Sequence, residues 1–243
     1  MHCQVTLVLA ILVVPLACPS AKGADSASPP ATLLTQRGKL LVSEDFAKPV
    51  QISTAASLSK LTSGWRLRPG KWEFVEGAMR GTQLEKDHHS AVAAYAVAFK
   101  NAVIQYDVQL NGCRQAILRV NDPHEHICRV IVKPDSFAAQ KDDHDHDGSD
   151  EAVSFGTVAM SIRPVRWTTV LVEILGDEMV ATIDGHSIAG SHPLISTEKA
   201  NIGFVVTGIG GAFRNLRIWD ATPNPSWAET ESKLPSTQPP AKD

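Results

Sequence analysis

Asp143, Asp145 and Asp147, with Gly148 behind them, spell D-x-D-x-D-G. That is the first half of a calcium loop: alternate carboxylates converge on a hard cation, and the glycine permits the sharp turn. Glu151 falls at the ninth position of such a loop. Ser154 stands at the twelfth, so the bidentate glutamate of a full EF-hand loop is missing. The pattern predicts a weaker or purely structural Ca2+ site at Asp143, Asp145, Asp147 and Glu151. His144 and His146 would share one side of an extended chain with Asp142, which offers a transition-metal site as an alternative. A solvated acidic loop at a sheet edge is the third reading. The crowded carboxylates repel one another, so counter-charge beyond Lys141 must stand nearby.

A second cluster comprises Asn121, Asp122, His124, Glu125, His126 and Arg129. A histidine beside a carboxylate can do general acid/base work near neutral pH. His124, His126 and Arg129 are therefore the catalytic candidates, with a polar turn and strand-edge residues as the plain alternative. His88 and His89 follow in a polar loop after Glu85-Lys86-Asp87, read first as an exposed loop, with a place in either cluster as the alternative. Glycosidase chemistry needs a pair of carboxylates, and no Glu-x-Asp-x-x-Glu strand occurs; Glu173 stands alone between Val172 and Ile174. No G-x-S-x-G elbow, phosphate loop, dinucleotide fingerprint or C-x-x-C pair is present, so no organic cofactor is expected.

These residues must be positioned by strands. Ala102, Ile104, Tyr106, Val108 and Leu110 alternate with Val103, Gln105, Asp107 and Gln109, a period of two that turns one apolar face inward. Apolar runs at 116–120 and 127–132 flank Asn121-Asp122-Pro123-His124-Glu125 and predict a hairpin that sets Cys128 about opposite Arg119. Further strands are expected at 167–175, 179–183, 201–206 and 212–219, split by turns at Gly176-Asp177, Asp184-Gly185 and the glycines at 208, 210 and 211. No stretch shows a sustained helical stripe. Many short strands at regular spacing predict an all-β sandwich or barrel.

The ends read differently. Residues 5–17 are almost wholly apolar, and Ala21-Lys22-Gly23 offers small residues for cleavage, which predicts a signal peptide over 1–23. A membrane anchor and a lipidated Cys18 are the alternatives. Residues 24–37 read as a linker, 38–221 as the β domain, and 222–243 as a disordered proline-rich tail. Removal of 1–23 takes away Lys22 and no acid, leaving 22 basic against 26 acidic side chains, a net charge of −4. That balance gives no electrostatic reason to bind nucleic acid. No second long apolar run exists to span a membrane. In the oxidising compartment this leader implies, Cys113 and Cys128 form either one disulfide or two buried thiols.

The motifs Gly64-Trp65, Gly70-Lys71-Trp72-Glu73 and Glu76-Gly77-Ala78-Met79-Arg80-Gly81 open the domain. It closes through Arg166-Trp167, Val172-Glu173-Ile174, Gly176-Asp177, Asp184-Gly185, Gly203-Phe204 and Phe213-Arg214-Asn215-Leu216-Arg217-Ile218. Over 40–221 the chain resembles the 3-keto-disaccharide hydrolase domain family. The resemblance implies a two-sheet antiparallel jelly-roll sandwich of the concanavalin type, export from the cell, and a carbohydrate partner. It departs from that family at Gln115-Ala116-Ile117-Leu118-Arg119-Val120, where the Asn-Ser-Gly element is absent and only Arg119 matches. Arg119, Asn121, Asp122 and Glu125 are then the substrate-binding candidates. Two activities remain open: hydrolysis or lysis of 3-keto glycosides, and non-catalytic glycan binding or an adhesive role. Of the tryptophans, Trp65, Trp72, Trp167 and Trp219 are expected in packing, and Trp227 in the tail.

Overall fold

The computed structural model of the protein describes residues 29–144, 148 and 150–235. The expected signal segment, the first part of the linker, residues 236–243, and Asp145, His146 and Asp147 lie outside the described residues. Period-two patterning dominates the rest, and it folds as strands. In chain order they are β1 (Thr35–Glu44), β2 (Trp65–Leu67), β3 (Lys71–Val75), β4 (Ala78–Thr82), β5 (Ala91–Phe99), β6 (Ala102–Gln109), β7 (Gln115–Asn121) and β8 (His126–Lys133). They continue as β9 (Ser136–Lys141), β10 (Val153–Ala159), β11 (Thr168–Leu175), β12 (Glu178–Ile183), β13 (His186–Ser191), β14 (Lys199–Thr207) and β15 (Ile209–Pro223). A short helix, α1 (Trp227–Glu231), follows. No helix among the described residues is long and apolar enough to cross a membrane.

The strands form two antiparallel sheets. One runs β13-β12-β11-β6-β15-β4-β3, with β1 also paired to β15. The other runs β10-β9-β8-β7-β14-β5-β2. Their inner faces bury a single large core, the jelly-roll sandwich expected from the sequence. Phe204 on β14 and Phe213 on β15 join the sheets at its centre, with ring centroids 4.0 Å apart and planes 9° from parallel. Tyr106 and Trp65 pack around Phe204 at 5.1 and 5.9 Å. Close approach fixes two glycines. A Cβ on Gly81 would lie 2.7 Å from the Trp72 ring, and one on Gly190 would lie 2.2 Å from Phe155.

The β7–β8 hairpin differs from expectation by one residue. Arg119 faces Arg129, and Val120 faces Cys128, with a register shift between Val120 and Asn121. The shift is a bulge: Asn121 pairs with His126 and Val120 with Cys128, so Ile127 is an extra residue in β8, just past a turn in which Asp122 Oδ1 accepts the backbone N–H groups of His124 and Glu125, both at 2.7 Å. One residue of register exchanges the two faces of a strand. Cys128 therefore enters the core, and Arg129 turns outward beside Arg119. Cys113 and Cys128 are both buried free thiols.

The strands also reach past the expected domain ends. β1 begins at Thr35, within the segment read as linker, because it pairs with the end of β15. Trp227, read as tail, donates its indole N–H to Glu178 Oε1 at 2.9 Å.

A candidate ligand cleft on the seven-stranded sheet

On β7, Leu118 and Val120 face the core, so Ile117, Arg119 and Asn121 face outward. The same alternation turns Asn201, Gly203 and Val205 outward on β14, Val92 and Ala94 on β5, and Arg66 on β2. Register lines these residues up across the sheet. Gln140, Arg129, Arg119, Gly203, Ala94 and Arg66 form one continuous row on its outer face. Gly203 has no side chain and Ala94 has only a methyl. The row therefore sinks between Arg119 and Arg66 and makes a cleft of about 250 Å³. Val92 and Pro69 add apolar lining, and Leu58, Arg68, His89, Asn121 and His126 complete it.

The Arg119 wall is ordered by a directional chain of hydrogen bonds. An arginine can only donate. Arg119 Nη1 lies 2.8 Å from His126 Nε2, so that nitrogen accepts. His126 is then the neutral Nδ1–H tautomer, and it donates to Asn121 Oδ1 at 2.7 Å. Asn121 Nδ2 donates in turn to Asn201 Oδ1 at 2.6 Å. Arg119 Nε is buried and has no hydrogen-bond partner among the described residues. Burial and, second, the charge of Arg129 hold the Arg119 guanidinium below the ordinary arginine range. Arg129 itself donates Nε to the wholly buried Asp142, which also accepts from Gln140 at 3.3 Å. Burial raises the Asp142 carboxyl, and Arg129 opposes that rise.

The opposite wall is latched to the segment that precedes it. Arg66 donates Nε to the Ala55 carbonyl at 3.2 Å, Nη2 to Ala56 at 3.4 Å and Nη1 to Arg68 at 2.7 Å. Arg68 Nη2 donates to the carbonyls of Ala55 and Thr54 at 3.1 and 3.2 Å. These bonds use neutral acceptors, and among the described residues no ion pair joins either guanidinium to a carboxylate.

Among the predicted site residues, Arg119, Asn121 and His126 meet in the cleft, and His89 joins them from the loop before β5. Arg129 shares their sheet face but is paired with Asp142. His124 is exposed in the turn. Asp122 closes that turn, and its Oδ2 lies 2.7 Å from His144 Nε2. Burial works to raise the Asp122 carboxyl, but the Glu125 amide, His144 and the His124 amide together hold it below the usual carboxylate range. Glu125 follows at the foot of β8, half-buried. The counter-charge expected for the acidic loop is present: Arg129 serves Asp142, and buried Lys141 serves Asp150 and donates to the Glu151 carbonyl at 3.0 Å. Among the described residues no three His, Cys, Asp or Glu side chains converge to hold a metal. Two of the four calcium candidates, Asp145 and Asp147, lie outside those residues.

Glu173 is on the other sheet. It is fully buried under the N-terminal segment and accepts from Leu33 N at 2.9 Å, Thr35 N at 2.8 Å and Thr35 Oγ1 at 2.7 Å. Sequence reasoning missed Arg66, Arg68, Val92 and Gly203 as lining. For Arg66, Val92 and Gly203 the signal is register across β2, β5 and β14, which no single strand displays; Arg68 follows the end of β2.

No protein-family model matches the chain, and no curated protein matches it. Solved structures do. A Bacillus subtilis protein of unknown function with a galectin-like fold superposes with a TM-score of 0.56 at 11% identity, covering 79% of this chain and all of that one. A non-specific endo-β-1,3(4)-glucanase from family GH16 gives 0.54 at 10% identity, over 78% of this chain and 96% of its own. The carbohydrate-binding module CBM66 from Bacillus subtilis gives 0.53 at 13% identity, over 71% of this chain and all of that one. At these identities the likeness is one of fold.

Proposed function

We propose that this is an exported, carbohydrate-directed β-sandwich protein that holds a saccharide in the cleft between Arg119 and Arg66 and does not cleave it. One observation carries the reading: an open cleft on the outer sheet face, with an apolar floor and a ring of fixed donors, Arg66, Arg68, Arg119 and Asn121. Sugars present apolar faces flanked by hydroxyl acceptors, and sites of this kind pair a few placed polar groups with an apolar surface. The likeness in fold to a carbohydrate-binding module and to a glucanase supports the substrate class. The apolar run at 5–17 supports export.

Binding is favoured over cleavage by what the cleft offers. Among the described residues no carboxylate lines it, so they assemble no retaining or inverting carboxylate pair there. Elimination on a 3-keto glycoside, the chemistry suggested by the family resemblance, needs a base. His126 has one ring nitrogen accepting from Arg119 and the other donating to Asn121. Its lone pair is committed to the protein; His89, the other imidazole in the lining, is exposed and donates from Nδ1 to the Ser90 carbonyl at 2.7 Å, and no carboxylate among the described residues is bonded to it. Calcium at Asp143, Asp145, Asp147 and Glu151 is not required by this reading.

A glycan array followed by calorimetry tests it. At least one oligosaccharide should bind, with no new reducing ends or unsaturated products after prolonged incubation. Arg119→Ala should weaken binding roughly ten- to a hundredfold, the worth of a hydrogen bond from a charged donor. Turnover of a 3-keto glucoside that is lost in His126→Ala would contradict the non-catalytic reading. Binding unaffected by Arg119→Ala would remove the cleft from it.

A further inference from the structure

We infer that the cleft selects an anionic saccharide, one whose sugar ring carries a carboxylate or a sulfate. This rests on the saccharide-binding reading above and adds the charge of the ligand.

The protein as a whole is mildly acidic, yet the cleft is lined by Arg66, Arg68 and Arg119 and, among the described residues, by no aspartate or glutamate. Among the described residues no ion pair joins any of these three arginines to a carboxylate. Elsewhere on the same sheet face, and next to it, cations are matched: Arg129 to Asp142 and Lys141 to Asp150. The contrast is sharpest across the β7–β8 pair. Arg129 and Arg119 face each other in register. Asp142 makes its hydrogen bond to Arg129, while the side-chain partner of Arg119 is a neutral histidine.

Arg119 and Arg66 are half-buried, which weakens their contact with water, and like charges stand next to them. Arg129 stands beside Arg119, and Arg68 beside Arg66. Arg119 also keeps a buried Nε–H with no acceptor among the described residues. A ligand oxyanion at the Arg119 end of the cleft would add a directly bonded negative charge, where Asp142 and Glu125 act on Arg119 without an ion pair. Carboxylate and sulfate groups both fit the planar fork of a guanidinium. Gly203 and Ala94 between the arginines leave room for the ring that carries the group.

Calorimetry on the whole secreted chain with chemically matched pairs tests this. Suitable pairs are oligogalacturonate, oligomannuronate and a glucuronate-containing oligosaccharide, each with its carboxyl-reduced counterpart, and a sulfated galactan oligosaccharide with its desulfated counterpart. The acidic member of a binding pair should bind at least about tenfold more tightly than its neutral partner. Its affinity should fall as salt is raised. The carboxylate and sulfate pairs report separately which group is taken. Arg119→Gln should bring the acidic member down to the affinity of the neutral one, with Arg119→Lys in between. Arg68→Gln, at an exposed position, should reduce the salt dependence even if the Arg119 variants fail to fold. Equal affinity for both members of every binding pair would overturn the charge selection and leave saccharide binding standing. No binding by any member of the panel would overturn both.

Discussion

Arg119 sits in the middle of an apolar run and is a charged residue whose neighbours decide its use. Its own strand turns it outward, the hairpin register sets Arg129 beside it, and Asp142 is taken by Arg129. The same register sends Cys128 inward. Burial, as the leading cause, pushes the Cys128 thiol up to about 12 and the Cys113 thiol up to about 11. Neither should react with a thiol reagent at pH 8.5 in the folded protein, and both should react after unfolding. The linkage has a definite sign. The folded thiols keep their protons well above 9, the value for an exposed thiol. Their contribution to stability is complete below pH 9 and is lost as pH rises through 11 to 12. Lys199 acts in the opposite sense, because burial brings it from 10.5 to about 8. A variant comparison separates them. The stability deficit of Cys128→Ala relative to wild type should be smaller at pH 10.5 than at pH 8, by chemical denaturation. A deficit independent of pH would mean that the thiol is not held protonated.

At the scale of the element, β14 provides the floor of the cleft through Gly203. A Cβ placed there would meet only ordinary contacts, the nearest being the Ala93 carbonyl oxygen at 3.8 Å. Gly203→Val should therefore fold with little loss of stability, since β-branched residues suit a strand. Its side chain would rise into the cleft and lower saccharide affinity by about tenfold or more, as measured by calorimetry on a protein of unchanged melting temperature. Undiminished affinity would place the ligand elsewhere. Much at this scale was legible in the sequence. The alternation in β6, the two runs of the hairpin and the glycine-marked turns between later strands all appear as expected. The hairpin register did not, because one extra residue at Ile127 shifts β8 beyond the turn, and the apolar run around it does not mark such a bulge. For the site, Arg119, Asn121 and His126 were legible as a local cluster. Arg66, Arg68 and Gly203 were not, because they reach the cleft from strands far apart in the chain. The alternation in β6 also hides a fact: Asp107, on its polar face, is buried and accepts from Thr169 at 2.7 Å, Asn215 at 2.8 Å and Arg214 at 3.1 Å.

Across the whole molecule the two sheets divide the work. The eight-stranded sheet is covered on its outer side near Glu173, which ties residues 33–35 down with three hydrogen bonds. Burial raises the Glu173 carboxyl, and those donors oppose the rise. Glu173→Ala would orphan three donors in a buried place and should destabilise the protein by about 3 kcal/mol, or lower Tm by roughly 10 °C. Saccharide affinity at 20 °C should be unchanged in that variant. A parallel loss of binding would put Glu173, not the opposite sheet, in the site. The seven-stranded sheet carries on its outer face the row of small and basic residues in which the proposed saccharide is placed.

The most direct measurement is a chemical-shift map: two-dimensional amide and arginine side-chain spectra of the 15N-labelled protein, titrated with the tightest-binding acidic oligosaccharide. The Arg119 Nε–H signal and the amides of β7, β14 and β5 around Asn121, Gly203 and Ala94 should move together and saturate at one affinity. Shifts confined to the 141–151 loop or to the eight-stranded sheet, with Arg119 unmoved, would contradict the cleft as the binding site.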